Sequence, residues 1–230
     1  DYHGVPNFAG TCGQLCLKYF AEATEKRQSR RALDLGCAIG RTSFELAREF
    51  DHVDGIDFSA RFVSAATQLK ENDSKRYTIR DEGDLFSFKE TSLAEHGLAD
   101  TAHKCDFWQG DACNLSDKFN NYDFVFAGNL IDRLYEPEKF VSRIHELINE
   151  DGLLVITSPY TWLSEFTEPE NWIGGYKRDG ENFTTLDGLK ELLAPHFDLV
   201  DEPRDVPFVI RETARKFQHS IAQMSVWHKR

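Results

Sequence analysis

The 230-residue sequence contains a single methionine, Met224, and no initiating residue, which predicts that it is a piece of a longer polypeptide. Basic residues are also scarce, because 27 lysines and arginines stand against 39 aspartates and glutamates, a formal net charge of −12. Nucleic acid and anionic membrane surfaces bind clustered lysine and arginine, so neither is expected as the main partner. The longest apolar runs are only as long as a strand, which excludes the ~20-residue helix that crosses a membrane.

Cysteines are few, odd in number and scattered, at positions 12, 16, 37, 105 and 113. This pattern predicts no disulfide framework and favours a reducing, cytoplasmic setting. A chain of this length buries roughly 70% of its unfolded surface when it folds, so it does not need cross-links. The histidines and cysteines lack metal-ligand spacing, and no metal site is predicted.

Segments with strand and helix patterns alternate along most of the chain, which predicts an α/β fold. The last two strand-like runs have no helix between them, so the final strand is expected to be antiparallel. The prediction is therefore a doubly wound sheet of seven strands, with helices on both faces. The predicted strands are 31–35, 52–57, 105–109, 122–127, 153–158, 197–200 and 220–227, and the predicted helices are 14–24, 42–50, 60–71, 138–149 and 186–193.

Residues 72–104 interrupt the alternation and are charged and poor in helix patterns. They are predicted to form a surface insertion, with a hairpin over 77–88 that turns at Glu82-Gly83. Thr184 and Asp187 have the spacing of a capping box and predict the start of a helix.

A glycine-containing loop, Asp34-Leu35-Gly36-Cys37-Ala38-Ile39-Gly40, joins the first predicted strand to a helix. Glycine at positions 36 and 40 lets the backbone turn tightly and approach a ligand, although a tight turn without a ligand also fits. The dinucleotide spacing Gly-x-Gly-x-x-Gly is not met, because Ala38 and Arg41 stand where its second and third glycines belong. The loop therefore disfavours a nicotinamide-dependent oxidoreductase.

Acidic residues occur at the ends of the first three predicted strands, where ligands of open α/β sheets bind. Asp34 suits a ligand with an ammonium group, and Asp57 can accept the two hydroxyls of a ribose. Asp111 is placed to accept from an exocyclic amine. Each acid by itself also fits an ordinary exposed strand end, but the three together favour a nucleoside-like ligand.

The loop 34–40, Asp57 and Asp111 resemble, in that order, motifs I, II and III of the class I methyltransferases that use S-adenosylmethionine. The resemblance implies that Gly36 and Gly40 flank the methionine part and that Phe58 packs on the adenine. Asn129 would lie beside the sulfonium. Many members of the family have glycine where Ala38 stands. The implied cofactor-binding residues are Asp34, Gly36, Cys37, Ala38, Gly40, Asp57, Phe58, Ser59, Asp111, Ala112, Cys113, Asn129 and Leu130.

Two segments near the same edge of the sheet, 159–183 and 203–218, are expected to build the acceptor pocket. Aromatic rings can line a flat pocket and arginine can bind a carboxylate, although the rings could equally fill the sheet edge and the arginines face solvent. Residues 1–30 form an N-terminal arm and helix expected to cover the cofactor edge, and 31–230 form the methyltransferase domain. The predicted substrate-binding residues are Tyr160, Trp162, Trp172, Tyr176, Phe208, Arg211 and Arg215.

Residues 171–177 (NWIGGYK), 208–219 (FVIRETARKFQH) and the arm resemble the C-terminal methyltransferase domain of the ovothiol-biosynthesis enzymes. The resemblance implies that this chain methylates a ring nitrogen of 5-thiohistidine to give ovothiol A and that a sulfoxide synthase domain precedes it. Asp132 is the candidate base or ring-orienting group, an exposed acid paired with Arg133 being the alternative reading, and Asn129 is the second candidate catalytic residue. Another small heteroaromatic or amino-acid-like acceptor, or a non-catalytic nucleoside-binding domain, is the alternative function.

Overall fold

The computed structural model describes residues 2–23 and 30–230, and the helices and strands below are those of this part of the chain. The α-helices are α1 (Phe8–Ala23), α2 (Arg41–Leu46), α3 (Ala60–Asn72), α4 (Pro137–Arg143) and α5 (Thr185–Leu193). The strands are β1 (Arg31–Leu35), β2 (His52–Asp57), β3 (Ser74–Glu82), β4 (Leu85–Ser92), β5 (Cys105–Gln109), β6 (Tyr122–Gly128), β7 (Ile148–Ser158), β8 (Tyr176–Arg178), β9 (Glu181–Phe183), β10 (Phe197–Leu199), β11 (Arg204–Arg211) and β12 (Phe217–Lys229).

The main sheet has the strand order β10-β12-β7-β6-β1-β2-β5. Neighbouring strands from β7 to β5 are parallel, and β12 runs antiparallel to β7 and to β10. The doubly wound topology and the antiparallel last strand are therefore confirmed. The order reverses beside β1, so the carboxyl ends of β1, β2, β5 and β6 border one crevice.

An eighth strand, β11, pairs with the first half of β12. No strand was predicted within 203–218, yet eight residues of this segment pair with β12, from Arg204↔Met224 to Arg211↔Phe217. Only the turn between β11 and β12 remains outside the ladder. The predicted acceptor segment is therefore the rigid wall of a hairpin.

Helices cover both faces of the sheet. Helices α1 and α2 pack on one face around Phe44, Phe50 and Phe124, and α4 and α5 pack on the other around Leu154 and Trp227. The two cores arise because successive residues of each buried strand point to opposite faces. No helix of the described residues is long and apolar enough to cross a membrane.

Several predicted boundaries differ from the structure. Helix α1 starts at Phe8 rather than at residue 14, because the Asn7 side chain accepts the Gly10 N–H at 2.9 Å, while its predicted end at residue 24 lies outside the described residues. Helix α2 ends at Leu46 instead of residue 50. Helix α4 ends at Arg143 instead of residue 149. Strand β7 starts at Ile148 instead of residue 153, because a bulge lies between Ile148 and Leu153.

The predicted insertion is only partly on the surface. Strands β3 and β4 form the expected hairpin, which is longer than predicted, whereas Leu93, Leu98 and Ala102 are buried in the core. The far end of the hairpin also contacts the turn between β11 and β12, because the Ala214 N–H donates to the Asp81 carbonyl at 3.0 Å.

Candidate functional site

The loop 36–40 is held tightly against the end of β2. The Gly36 and Cys37 N–H groups both donate to the Ile56 carbonyl, at 2.8 and 3.1 Å. Gly36, Ala38 and Gly40 have φ values of 74°, 48° and 86°. This left-handed conformation costs a non-glycine residue such as Ala38 ~1–2 kcal/mol, and the alanine nevertheless adopts it.

The two glycines of this loop are required for different reasons. A Cβ at Gly36 would lie 3.3 Å from Leu130 Cδ1, so glycine keeps open the space between this loop and the loop after β6. A Cβ at Gly40 would lie 2.6 Å from the Phe107 ring, inside its van der Waals surface. Gly40 therefore has a packing role against β5, and its place beside the methionine part stays a prediction.

Asp57, at the end of β2, is fixed by two backbone donors. Its Oδ2 accepts the Ala38 N–H at 2.9 Å, and its Oδ1 accepts the Ser59 N–H at 2.8 Å. Each oxygen keeps a lone pair, because a carboxylate oxygen has two. The carboxylate is thus oriented in advance and can accept from two further donors, such as the hydroxyls of a ribose.

Phe58 follows Asp57 and is 76% exposed, an unusual position for a large apolar ring. The Gln109 side-chain amide donates to its carbonyl at 3.2 Å, which fixes its backbone at the rim of the crevice. An exposed ring beside a two-hydroxyl acceptor is suited to stacking on a base.

Asp34 is 1% exposed, so its carboxylate is covered by the surrounding protein. Its Oδ2 accepts the Ser43 hydroxyl at 2.6 Å. Burial raises the pKa of Asp34 to about 7, against the opposing hydrogen bond from Ser43. Direct contact with an ammonium group, as expected from the sequence, would require the loop to move.

Asp111 is more constrained than the sequence indicates. Its Oδ1 accepts the Cys113 N–H at 2.9 Å, and its Oδ2 accepts the Tyr135 hydroxyl at 2.7 Å. The hydrogen bond to Asp111 raises the pKa of Tyr135 to about 12. Sequence reasoning missed Tyr135, since it lies 24 residues further along the chain.

Cys37 and Cys113 are buried, and burial raises the pKa of each thiol above its usual value. Both therefore remain protonated near neutral pH, and neither is an activated nucleophile. Ala112 lies next to Cys113 in the short turn that Asp111 caps.

Asp132 is 1% exposed and does not face the crevice as a base. It accepts hydrogen bonds from Ser158 Oγ at 2.8 Å, Thr161 Oγ1 at 3.0 Å and Arg133 Nη1 at 2.9 Å. The alternative interpretation, an acid paired with Arg133, is thus met in part: the ion pair is present, but Asp132 is buried whereas Arg133 is exposed. A fully bonded, buried carboxylate ties the loop after β6 to the end of β7.

Four of the predicted acceptor aromatics contact partners within the protein. Trp162 Nε1 donates to Thr185 Oγ1 at 2.9 Å, and Trp172 Nε1 donates to the Thr167 carbonyl at 2.9 Å. Tyr160 donates to Gln223, and Tyr176 packs on Phe183 in the β8–β9 hairpin. Tyr160 and Trp162 pack against the core on the α4–α5 face, whereas Tyr176 is exposed. The acceptor pocket at 159–183 stays a prediction.

A cavity of about 370 Å³ instead lies between the N-terminal arm, Asn129 and β11. Phe208 lines it, as predicted, and packs on Phe8 with ring centroids 5.0 Å apart. Asn129 is fixed there by Thr157, whose carbonyl accepts its N–H at 2.8 Å. The arm is held over this cavity by Phe217, whose ring packs on those of Tyr2 and His3.

The two predicted arginines have different environments. Arg211 is largely buried and donates from Nη2 to Asp81 Oδ1 at 2.7 Å, whereas Arg215 is exposed in the turn between β11 and β12. The structure therefore separates the two candidates, and only Arg211 faces the interior.

Comparison with known proteins gives one family model, described as "Methyltransferase domain", which matches residues 26–186. Phosphoethanolamine N-methyltransferase 2 of Caenorhabditis elegans is 26% identical over 145 residues, 61% of this chain and 26% of that protein. Ajmaline N-methyltransferase of Rauvolfia serpentina is 26% identical over 145 residues, 63% of this chain and 40% of that protein. The chain thus spans about a quarter to two fifths of the length of these relatives.

Solved structures with the same fold include the N-methyltransferase NodS of Bradyrhizobium japonicum in complex with S-adenosylhomocysteine. It is 12% identical with a TM-score of 0.58, over 99% of this chain and 89% of that one. YcgJ of Bacillus subtilis is also 12% identical with a TM-score of 0.58, over 94% of this chain and 98% of that one.

Proposed function

This chain belongs to the methyltransferase-domain family, and from that premise we propose that it transfers the methyl group of S-adenosylmethionine to a nitrogen atom of a small acceptor. The proposal rests chiefly on Asp57, whose two oxygens are oriented by Ala38 and Ser59 and keep lone pairs for two hydroxyls. S-adenosylhomocysteine is the second product.

The residues around the crevice fit this cofactor. Asp57 would accept from the ribose, Phe58 would stack on the adenine, and Asp111 would accept from the adenine amine once Tyr135 yields or shares its oxygen. The gap that Gly36 leaves toward Leu130 would take the methionine part. Asp34 would lie near the ammonium group of the methionine part, without direct contact.

The sulfonium supplies an activated methyl group, so the protein has mainly to position the acceptor. Alignment of this kind contributes up to roughly 7–11 kcal/mol to a bimolecular reaction. Leu130 borders the gap at Gly36, and Asn129 and the arm line the cavity. The residues that line this cavity carry no carboxylate and no histidine, among those that the structure describes. The acceptor nitrogen must therefore bind with its lone pair already free.

We propose 5-thiohistidine as the acceptor, with ovothiol A as the product. The proposal is supported by the resemblance of 171–177 and 208–219 to the ovothiol enzymes and by a cavity that is walled by Phe8 and Phe208. A flat, five-membered ring fits between such side chains. Fusion to a sulfoxide synthase domain stays a prediction of the same resemblance, and a cytoplasmic setting stays a prediction from the cysteine pattern.

Calorimetric titration tests the cofactor. We expect S-adenosylhomocysteine to bind and NAD not to bind. Loss of two hydrogen bonds to a charged group, roughly 3 kcal/mol in total, should weaken binding about 100-fold in Asp57→Ala. Asp106→Ala is the matched control, since this acid lies at the amino end of β5 and pairs with Lys70 at 2.7 Å. Tighter binding of NAD than of S-adenosylhomocysteine would refute the cofactor assignment.

Mass spectrometry of reactions with S-adenosylmethionine tests the acceptor. We expect 5-thiohistidine to gain one methyl group on a ring nitrogen, and phosphoethanolamine, which has no ring, to remain unchanged. Histidine serves as the control that lacks the thiol. Methylation of phosphoethanolamine alone would refute the proposed acceptor but not the methyl transfer.

A further inference from the structure

A partly buried ion pair between Asp81 and Arg211 joins the β3–β4 hairpin to the hairpin that lines the acceptor cavity. We propose that Arg211 binds the carboxylate of an amino-acid acceptor and that Asp81 is the positioning residue that orients it. The inference rests on the proposed function, and it assigns the inserted hairpin a role in substrate specificity.

Asp81 is held at three points. Its Oδ1 accepts from Arg211 Nη2 at 2.7 Å, its Oδ2 accepts the Ser87 hydroxyl, and its carbonyl accepts the Ala214 N–H at 3.0 Å. Hydrogen bonds from Ser87 and then from Arg211 hold the pKa of Asp81 below its usual value. The carboxylate is therefore fixed in place and ionised throughout the pH range of an assay.

The ion pair involves only one of the two terminal nitrogens of the Arg211 guanidinium, Nη2. Its side chain is 13% exposed, and Nη1 is buried without a hydrogen-bond partner among the described residues. Buried donors are almost always bonded, and arginine presents two parallel N–H groups that match a carboxylate. The unpaired Nη1 edge thus indicates a site for an anionic group that is absent from the protein itself.

Arg211 lies at the boundary of the acceptor region. It follows Phe208, Val209 and Ile210, which line the 370 Å³ cavity, and it is the ladder partner of Phe217, which holds the arm. A carboxylate bound at Arg211 Nη1 would thus lie next to the strand that lines the acceptor cavity.

The hairpin borders a second, larger space on the other side of the arm. This cavity of about 880 Å³ is lined by Tyr77 of β3 and by Tyr2, and Tyr2 also lines the smaller cavity. Tyr77 and Asp81 belong to the same strand, β3, in which Asp81 is the extra residue of a bulge between Arg80 and Glu82. The Asp81–Arg211 pair therefore links the two walls between which the arm lies.

Other cations near the arm are less suited to bind a carboxylate. Arg41 is already paired with Glu45 at 2.9 Å, and Lys75 donates to the Gln68 amide oxygen. Arg215 is exposed in the turn. Among the described side chains that border the arm, Arg211 alone combines burial with an unbonded guanidinium nitrogen.

Removal of the carboxylate from the ligand tests the inference without relying on turnover. The chain saturated with S-adenosylhomocysteine is titrated with 5-thiohistidine and with the amine that results from its decarboxylation. We expect the amino acid to bind about 30-fold or more tightly than the amine, and Arg211→Gln to reduce this ratio to below about threefold. Asp81→Asn should reduce the ratio to about fivefold, and Asp81→Glu should restore part of it.

Controls separate orientation from folding. Glu90→Gln, which removes an acid of the same hairpin that pairs with exposed Arg76 at 3.6 Å, should leave the ratio unchanged. Arg211→Lys keeps the charge and the aliphatic stem, and we expect it to lose at least tenfold of the preference even if Arg211→Gln does not fold. In turnover assays, Asp81→Asn should raise KM for the amino acid while kcat changes less than twofold.

An unchanged ratio in folded Arg211→Gln and Arg211→Lys overturns the inference while the methyltransferase assignment stands. A wild-type ratio near one overturns it as well. Loss of S-adenosylhomocysteine binding by the wild-type chain is a different result, which would overturn the proposed function itself.

Discussion

The buried acid Asp34 leads to an unusual prediction, namely that its replacement by asparagine stabilises the protein at pH 8. Burial raises the pKa of this carboxyl from 3.8 to about 7, so folding favours its neutral form. The resulting stability is fully present below pH 3.8 and is lost as the pH rises toward 7. Asparagine has no proton to lose and still offers an oxygen to the Ser43 hydroxyl.

The size of the effect follows from the shift in pKa. About three pKa units at 1.36 kcal/mol each correspond to about 4 kcal/mol of lost unfolding free energy at pH 8, and to about 2 kcal/mol at pH 5. The stability difference between Asp34→Asn and the wild type should therefore grow by about 2–3 kcal/mol from pH 5 to pH 8. For a domain of this size, that is a change of roughly 5–10 °C in the difference between the two melting temperatures.

Thermal and urea unfolding of both proteins at pH 5, 6, 7 and 8 measures this difference. A constant cost of placing the amide in the site cancels, because only the change with pH is compared. Asp106→Asn, at a half-exposed acid on the neighbouring β5, should show no such trend. A difference that is the same at pH 5 and pH 8, or that favours the wild type more at pH 8, would refute the titration of Asp34 in this range.

Three further predictions concern the site and its supports. Phe58→Ala should weaken S-adenosylhomocysteine about tenfold, since stacking contributes ~1–3 kcal/mol per base, whereas Phe88→Ala, at a ring 84% exposed on the hairpin, should not change the affinity. Asp132→Asn should lower the unfolding free energy by about 2 kcal/mol, because an amide nitrogen would replace one of the oxygens that accept from Ser158, Thr161 and Arg133. The shape of its pH–rate profile from about pH 6 to about pH 9 should match the wild type; a displaced profile would restore Asp132 as a base. Gly40→Ala should lower the melting temperature by about 5–10 °C, because the new Cβ would overlap the Phe107 ring and the alanine would have to adopt a positive φ. An unchanged melting temperature would contradict the packing role of Gly40.

The sequence by itself determined the alternating elements and the loop at the carboxyl edge. The bounds predicted for β1, β2 and β5 match the structure, since buried parallel strands are short apolar runs that end at a turn. The capping box at Thr184 is also present, because it needs only residues three apart. Asp57 could be identified from the sequence because local patterns show where a strand ends.

Only the tertiary structure decided which side chains reach the crevice. Asp132 looks like a loop acid in the sequence, yet Ser158 and Thr161 enclose it after the chain returns through β7. Asp81 and Arg211 are 130 residues apart and meet because two hairpins converge over the arm. Periodicity encodes contacts within a few residues of the chain, whereas burial and pairing between distant segments depend on how the layers pack.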